Sequence, residues 1–224
     1  MNSIVRSGDD YNAAVIVAHP DDETLWAGGT VLGRPAYHWY VITMCRASDP
    51  DRSPKFKQAL KRLGAHGAMG DLDDGPEQVP LQNELIEQTI LSLLPPRHFD
   101  CVLTHSPGGE YTRHRRHEQT AQAVLALWTA GTLLADELLM FAYEDGRGTY
   151  LPRPVKNASV YTCLDENIWE TKYEIITKTY NFAPMSFEAR TTPRAEAFWR
   201  LTSSADARVW LTKEAYRHES ARTV

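Results

Sequence analysis

The cluster His19-Pro20-Asp21-Asp22-Glu23 is the part of the sequence best suited to chemistry. It follows the apolar residues 13–18, which are typical of a short strand buried on both faces, and residues 24–32 behind it predict a helix. An imidazole and two carboxylates therefore lie at the carboxyl edge of a central strand, where open α/β sheets bind ligands. Acidic residues also suit a helix N-terminus, but that explains one or two acids and not a histidine with two aspartates. The cluster predicts a divalent metal site.

A second group of candidate ligands lies about a hundred residues further along the chain. Residues 100–104 predict another buried strand, and a turn-rich loop leads from His105 to a helix that begins near His114. His114 and His117 are three residues apart and share one helix face. One of these histidines, joined to a strand-end His/Asp pair, gives the three-ligand pattern of a catalytic zinc. An exposed polar turn, an anion-binding patch, or His105 as the ligand are the alternatives.

These residues resemble the motifs of the PIG-L/LmbE family of zinc-dependent N-deacetylases. Residues 18–23 match the leading motif of that family throughout, and His114 and His117 after a Gly-Glu-Tyr loop match its second motif in part. Weaker similarities occur at residues 43–46, 59–64, 74–75 and 194–198. The resemblance covers most of the chain, with the first motif as its most specific part.

The resemblance implies a role for each matched residue. His19, Asp22 and His117 would bind Zn²⁺, or another divalent metal, and the place of His117 makes His105 a hydrogen-bonding loop residue. Asp21 would act as the general base, and His114 would stabilise or protonate the tetrahedral intermediate. The residue types suit this chemistry, because zinc polarises a carbonyl and acidifies water, and a carboxylate can accept the proton.

The sequence departs from the family between the two histidines of the second motif. The family has Pro and Asp there, whereas this chain has Arg115 and Arg116. Like charges disfavour a protonated imidazole, so the arginines would favour neutral His114. Two arginines also oppose the dipole at a helix N-terminus, which favours a contact with an anionic substrate group over a solvent-facing position.

Two further residues are predicted to contact substrate at the same edge of the sheet. Arg46 follows the predicted strand at residues 38–44, and Asp74 follows the third strand. An ordinary surface arginine and a solvated turn around Gly75 are the alternatives.

The order of elements predicts an α/β fold, a Rossmann-like three-layer sandwich with a mostly parallel central sheet, because strands alternate with helices. We expect one domain over residues 1–224. Helices are predicted at residues 55–63, capped by Ser53 and closed by Gly64, and at 81–94. Later strands are predicted at 138–143 and 159–163, and helical patterning at the C-terminal tryptophans Trp169, Trp199 and Trp210.

Composition excludes several classes of protein. No apolar run approaches the roughly 20 residues of a membrane-spanning helix, and the first ten residues lack a hydrophobic signal core. A net charge of -5 argues against nucleic acid as a partner. Three widely spaced cysteines suit reduced thiols in the cytoplasm. We therefore expect a cytoplasmic protein whose partner is a small N-acylated molecule, with the C-terminal part covering the sheet or an interface of a homo-oligomer.

The predicted function is a zinc-dependent hydrolase that removes an N-acyl group, above all N-acetyl, from an amino sugar or related small molecule. A mononuclear iron enzyme is one alternative, because two histidines and a carboxylate also form a facial triad. Asp21 counts against it, since an adjacent carboxylate has a task in hydrolysis and none in oxygen activation. The Arg115-Arg116 replacement keeps a non-catalytic or altered-chemistry relative as a third hypothesis. A dinucleotide oxidoreductase is disfavoured, because acids replace the glycine-rich phosphate loop.

Overall fold

The computed structural model describes residues 11–111 and 114–209. Its main sheet has seven strands in the order β3-β2-β1-β4-β5-β9-β8. The strands of this sheet are β1 (Asn12–Val17), β2 (His38–Thr43), β3 (His66–Met69), β4 (Phe99–Thr104), β5 (Ala135–Phe141), β8 (Val160–Cys163) and β9 (Ala195–Leu201). β1 to β5 are parallel, and β9 runs antiparallel to both β5 and β8. The short strands β6 (Tyr143–Glu144) and β7 (Arg153–Pro154) form a separate ribbon.

Helices cover both faces of the sheet. They are α1 (Asp22–Leu32), α2 (Arg52–Leu63), α3 (Asn83–Leu93), α4 (Arg115–Thr129), α5 (Glu166–Glu174), which continues into a π-helical turn (Ile175–Thr179), and α6 (Phe187–Thr191). Side chains along a strand alternate between faces. Val15 and Val17 of β1 accordingly pack with α1 and α2, while Ala14 and Ile16 pack with α3 and α4. The predicted three-layer, mostly parallel α/β fold is confirmed. Within the described ranges, no helix has the length and apolar character needed to cross a membrane.

The antiparallel edge of the sheet differs from the prediction. Trp199 was expected in a helix but lies in β9, whereas Trp169 does lie in a helix, α5. β9 is a short segment in which five of the seven residues are buried, and such a segment shows no periodicity that separates a strand from a buried helix. Trp210 lies outside the described residues.

The start of α2 also differs from the prediction. The helix begins at Arg52, ahead of the expected cap Ser53, because the carboxylate of Asp49 accepts hydrogen bonds from the amides of Asp51 and Arg52 at 2.9 Å each. The predicted end is correct, since Gly64 adopts the left-handed conformation (φ 68°) that commonly terminates a helix. The earlier start places Arg52 at the carboxyl edge of the sheet.

A buried ion pair fixes α1 against the antiparallel edge. Glu196 Oε1 lies 2.6 Å from Lys172 Nζ, and both side chains are fully buried. The same carboxylate accepts hydrogen bonds from the amides of Gly29 and Thr30, at 2.7 Å each. A Cβ on Gly29 would lie 2.5 Å from the methyl groups of Leu164 and 3.0 Å from Glu196 Oε1, so a larger residue would require these side chains to move. The helix that begins at the acidic cluster is thereby held from its far end.

Removing the cation of this pair should destabilise the protein strongly. We expect Lys172→Met to lower the free energy of unfolding by about 3–5 kcal/mol, because it leaves the buried carboxylate of Glu196 uncompensated. Urea denaturation measures the change. The control is Lys178→Met, which breaks an exposed pair with Glu174 and should change stability little. Equal effects of the two substitutions would contradict the importance of the buried pair.

Candidate active site

The loops that follow β1, β2, β3 and β4 meet at the carboxyl edge of the sheet. The chain runs from β1 outward to β3 and then returns to β4 on the other side of β1, which makes the β1/β4 boundary the switch point where α/β sheets bind ligands. A cavity of about 260 Å³ opens there. Its lining includes the predicted site residues His19, Asp21, Asp22, Arg46, Asp74 and His114.

Three side-chain atoms at the base of this cavity form a nearly equilateral triangle. His19 Nδ1 lies 3.1 Å from Asp22 Oδ2 and 3.2 Å from His117 Nε2, and these last two atoms are 3.3 Å apart. Ligands about 2.0–2.1 Å from a tetrahedral zinc ion lie about 3.3 Å from one another. We call His19, Asp22 and His117 the ligand triangle. Its donor types and spacing fit one face of a tetrahedral metal site.

Every member of the ligand triangle is oriented by a hydrogen bond on its other polar atom. These contacts are His19 Nε2 with Asp74 Oδ1 (3.1 Å), Asp22 Oδ1 with Trp26 Nε1 (3.0 Å) and His117 Nδ1 with Glu110 Oε2 (2.8 Å). Histidine ligands in metalloproteins are held in this way, through a carboxylate on the second ring nitrogen. Burial opposes ionisation of Asp22, but the imidazoles of His117 and His105 outweigh it and hold its pKa well below the usual range.

His105 lies beside the ligand triangle but its nitrogens are occupied. Nδ1 is 3.1 Å from Glu110 Oε2, and Nε2 accepts a hydrogen bond from the Ala18 amide at 3.0 Å. Burial lowers the pKa of His105, yet Glu110 and Asp22 outweigh it and raise the pKa to about 9. The hydrogen bond from the Ala18 amide requires an unprotonated Nε2, however, so we assign the ring as neutral with its proton on Nδ1. The structure thus gives His105 the hydrogen-bonding position rather than that of an open ligand.

Other combinations of candidate ligands overlap with the ligand triangle. Sets whose donor atoms lie within 4.8 Å of one another are His19-His114-His117, Asp22-His105-His117 and His19-Cys45-Asp74. Each contains at least one member of the triangle, so these sets form one continuous cluster.

Asp21 lies next to the triangle in a strained conformation. Its φ of 116° is unusual for a residue with a side chain, and its amide is held by Glu23 Oε2 at 3.0 Å. Glu23 in turn accepts a hydrogen bond from the Tyr180 hydroxyl at 2.8 Å. The Asp21 carboxylate pairs with Arg52 at 2.9 Å. Burial, followed by the charge of Asp22, raises the pKa of Asp21 well above its usual value, and Arg52 opposes this.

His114 faces the cavity and two members of the triangle. Its ring centre lies 4.5 Å from that of His117 and 4.7 Å from that of His19. Burial, together with these two imidazoles, lowers the pKa of His114 to about 4. The neutral form agrees with the prediction, but its causes are burial and the imidazoles rather than the arginines. His114 Nδ1 is buried and lacks a hydrogen-bond partner among the described residues.

Arg116 points away from the cavity, contrary to the expectation that it contacts substrate. Its guanidinium donates to the Asp73 carbonyl at 2.5 Å and to Gln119 Oε1 at 2.7 Å, and it lies 3.2 Å from the Asp73 carboxylate. The residue is almost completely buried. The negative group that offsets the charge of Arg116 at the helix N-terminus is therefore Asp73, which belongs to the protein itself. Arg115 is exposed.

Arg46 and Asp74 are brought together beside the triangle. Arg46 donates from Nε and Nη2 to Asp74 Oδ2 at 3.0 and 2.6 Å, while Gln78 donates to Asp74 Oδ1 at 2.9 Å. Burial opposes ionisation of Asp74, but its hydrogen bonds from His19, Gln78 and Arg46 outweigh it and hold the pKa well below its usual range. Asp74 therefore orients His19. Contact of Arg46 and Asp74 with substrate stays a prediction.

The structure adds three residues that the sequence analysis did not single out. Trp26 lies four residues after Asp22, a spacing that predicts neighbours on a helix. Arg52 opens α2, where a cation opposes the helix dipole and suggests a nearby anion. Glu110 lies in the loop between His105 and His114, and nothing in the local sequence indicates that it joins two histidines.

A comparison with known families agrees with this arrangement. The model of the family described as PIG-L: GlcNAc-PI de-N-acetylase matches residues 14–128, which is 115 of the 224 residues. The chain belongs to the PIG-L family. The match includes most of β1, all of β2 to β4 and the whole ligand triangle of this PIG-L protein.

Solved structures with the same fold include enzymes of more than one kind. The N,N'-diacetylchitobiose deacetylase from Pyrococcus horikoshii is 14% identical, with a TM-score of 0.62 over 85% of this chain and 84% of the other. The zinc-inhibited form of the teicoplanin deacetylase Orf2 is 14% identical, with a TM-score of 0.57 over 86% and 98%. GalB, the 4-carboxy-2-hydroxymuconate hydratase from Pseudomonas putida KT2440, is 16% identical, with a TM-score of 0.57 over 85% and 96%. At these identities the likeness concerns the fold alone.

Glu110 should support metal binding by this PIG-L protein. We expect Glu110→Gln to weaken Zn²⁺ affinity about 10–100-fold, because the neutral amide is a poorer partner for the second nitrogen of His117. Calorimetric titration of metal-free protein measures the affinity. His117→Ala should have the larger effect, and Glu84→Gln on the exposed face of α3 is the control. An unchanged affinity in Glu110→Gln would contradict the role.

Proposed function

We propose that this PIG-L protein is a zinc-dependent hydrolase that removes an N-acyl group, above all N-acetyl, from an amino sugar or a related small molecule. The observation that supports it most is the ligand triangle with Asp21 beside it. His19, Asp22 and His117 would hold the metal, and a bound divalent cation would polarise the acyl carbonyl and lower the pKa of a bound water. Asp21, which lines the same cavity, is left outside the triangle.

Asp21 is the proposed general base. Arg52 holds one of its carboxylate oxygens, and the hydrogen bond that the Asp21 amide donates to Glu23 Oε2 fixes the backbone behind it. Its raised pKa favours proton uptake, because burial and the charge of Asp22 disfavour the carboxylate form. Asp21 would accept a proton from the attacking water and return it to the departing amine.

His114 is the proposed partner of the carbonyl oxygen as it becomes negative. A neutral imidazole has one N–H group to donate, and donors aimed at a developing oxyanion are a major source of catalysis in acyl transfer. The ring is half-buried at the cavity wall and packs against His117, which fixes its orientation before substrate arrives.

The cavity suits a small acylated group. Its volume of about 260 Å³ lies below the roughly 300–1,000 Å³ of sites for drug-sized ligands. Tyr111 and Phe187, whose ring centres are 5.1 Å apart, form an aromatic part of its wall, with Glu188 next to them. Arg46 and Asp74 also line the cavity and add polar groups outside the ligand triangle and Asp21. The two deacetylases of similar fold, one named for a diacetylated sugar, support an N-acylated substrate.

A different hydrolytic or hydration reaction is the second candidate. GalB is named as a hydratase and has the same fold, so the fold alone does not decide the reaction. Addition of water to a double bond uses the same kind of base as amide hydrolysis but releases no amine. An iron-dependent oxygenase, in contrast, would consume molecular oxygen, so it would be inactive in an assay under nitrogen.

Release of a primary amine therefore tests the proposed function. Metal-free protein is loaded with one equivalent of Zn²⁺ and incubated under nitrogen with N-acetylglucosamine, N,N'-diacetylchitobiose or acylated amino acids. We expect amine and acetate in equal amounts from at least one sugar, and no product without metal. A protein that binds zinc but releases no amine from any acylated sugar would contradict the proposal.

The adjacent aspartates should separate catalysis from metal binding. Asp21→Asn should retain zinc and lose about a hundredfold or more in kcat, because it removes the general base. Asp22→Asn should lose affinity for zinc, because it weakens a ligand. Metal content and turnover are measured on both variants. The assignment fails if Asp21→Asn loses its metal or keeps near-normal turnover.

A further inference from the structure

A cavity of about 240 Å³ lies at the C-terminal end of α1, whereas the catalytic cavity lies at the start of that helix. Arg34, Tyr37, Leu139 and Arg200 bound it, and we call it the Arg34 cavity. Among the described residues, none lines both this cavity and the catalytic one. We propose that the Arg34 cavity binds a small planar aromatic acid. The site is separate from the ligand triangle, and the inference does not rest on the proposed function.

The base of the Arg34 cavity is an apolar part of the main sheet. Cys101 and Leu103 of β4 are two residues apart and therefore point to the same face of the sheet, where Leu139 of β5 and Val160 of β8 adjoin them. Leu139 and Val160 are only partly buried by the protein. An apolar ligand that covered them would remove hydrocarbon surface from water, which favours binding.

One wall of the Arg34 cavity is aromatic. The rings of Tyr11 and Tyr37 are stacked, with centres 4.1 Å apart and an interplanar angle of 26°, and the Tyr37 ring centre lies 5.9 Å from that of Trp39. All three residues line the cavity. Aromatic rings interact favourably with one another beyond the area they bury, in stacked or edge-to-face geometry. This wall therefore favours a flat aromatic ring over an aliphatic group of similar size.

Arg34 provides a cation that no acidic side chain neutralises. Its Nη1 donates to the Thr30 carbonyl at 3.3 Å, and among the described residues it has no ion-pair partner. The Trp39 indole donates to the Arg34 carbonyl at 3.1 Å, which holds the backbone that carries this side chain. A guanidinium binds a carboxylate through two parallel hydrogen bonds. Arg34 can thus receive the acidic group of a ligand whose ring lies on the aromatic wall.

The remaining charges of the Arg34 cavity cancel. Arg200 Nε donates to Glu137 Oε2 at 2.5 Å, so these two residues form an ion pair of their own. Burial, followed by the charge of Glu137, raises the pKa of the Cys101 thiol well above its usual value and keeps the thiol neutral. The net positive charge of the cavity is therefore that of Arg34, which favours an anion and disfavours a cation.

Nuclear magnetic resonance titration with benzoate tests the site. We expect benzoate to shift the amide signals of Thr30, Tyr37 and Leu139 and to leave those of His19 and Asp22 in place. Benzamide, which lacks the charge, should bind about tenfold or more weakly, and cyclohexanecarboxylate, which lacks the aromatic ring, several-fold more weakly. Carboxylates also bind zinc, so the titration is run with and without Zn²⁺, and both forms should give the same affinity.

Substitutions locate the bound acid. Arg34→Gln should weaken benzoate binding about tenfold or more, because it removes the cation. The matched control is Arg46→Gln, which removes a guanidinium from the catalytic cavity and should leave the affinity unchanged. Val160→Phe keeps every charge but fills the base of the Arg34 cavity, so it should abolish binding. Thermal unfolding verifies that each variant is folded.

Several outcomes would overturn the proposal. Among them are no saturable shift around the Arg34 cavity in the native protein, and equal affinities for benzoate and benzamide. Weaker binding in Arg46→Gln but not in Arg34→Gln would place the acid in the catalytic cavity instead. Binding that appears only after removal of residues 1–10, which precede Tyr11 in the cavity wall, would make that segment the occupant.

Discussion

The site depends on one constraint, the convergence of two imidazole nitrogens and a carboxylate oxygen within 3.3 Å of one another in a buried position. Such a group is stable only if a cation or shared protons lie among the three atoms. Asp22 is the centre of this arrangement, because it also accepts hydrogen bonds from the His19 amide and the Trp26 indole. The contacts of the Asp22 carboxylate therefore stabilise the conformation of the β1–α1 junction.

The remainder of the fold holds this junction against the start of α4. Adjacency of β1 and β4 brings the two loops together, and Glu110 joins His105 to His117 so that the second loop is held by both rings. At the far end of α1, Glu196 and Lys172 fix the helix by a buried ion pair. Arg52 reaches Asp21 from α2. Elements that are far apart in the sequence thus fix the positions of side chains that lie within a few ångströms of one another in the site.

Much of this arrangement was predictable because its signals are local. The buried strands, the acidic helix start and the spacing of His114 and His117 indicated the α/β fold and the residues that meet at its edge. The partners of those residues were not predictable. Glu110, Arg52 and Asp73 are charged residues in loops or at a helix start, and only the tertiary fold shows which groups they face. The antiparallel strand β9 was missed because a short, mostly buried segment has no diagnostic period. The contact of Arg116 with Asp73 was not among the alternatives for this residue, because nothing in the sequence shows that the two side chains face each other.

The hydrogen bonds that the Asp74 carboxylate accepts from Gln78 and from His19 have a thermodynamic consequence. A molecule that orders the Gln78 amide would also restrict the carboxylate that orients His19. Binding of such a molecule beside Gln78 and binding of a metal at the ligand triangle would then be linked. Linkage is reciprocal, so whatever factor the metal adds to the affinity for the molecule, the molecule adds to the affinity for the metal. Protein saturated with substrate would in that case retain its metal against a chelator better than protein without substrate.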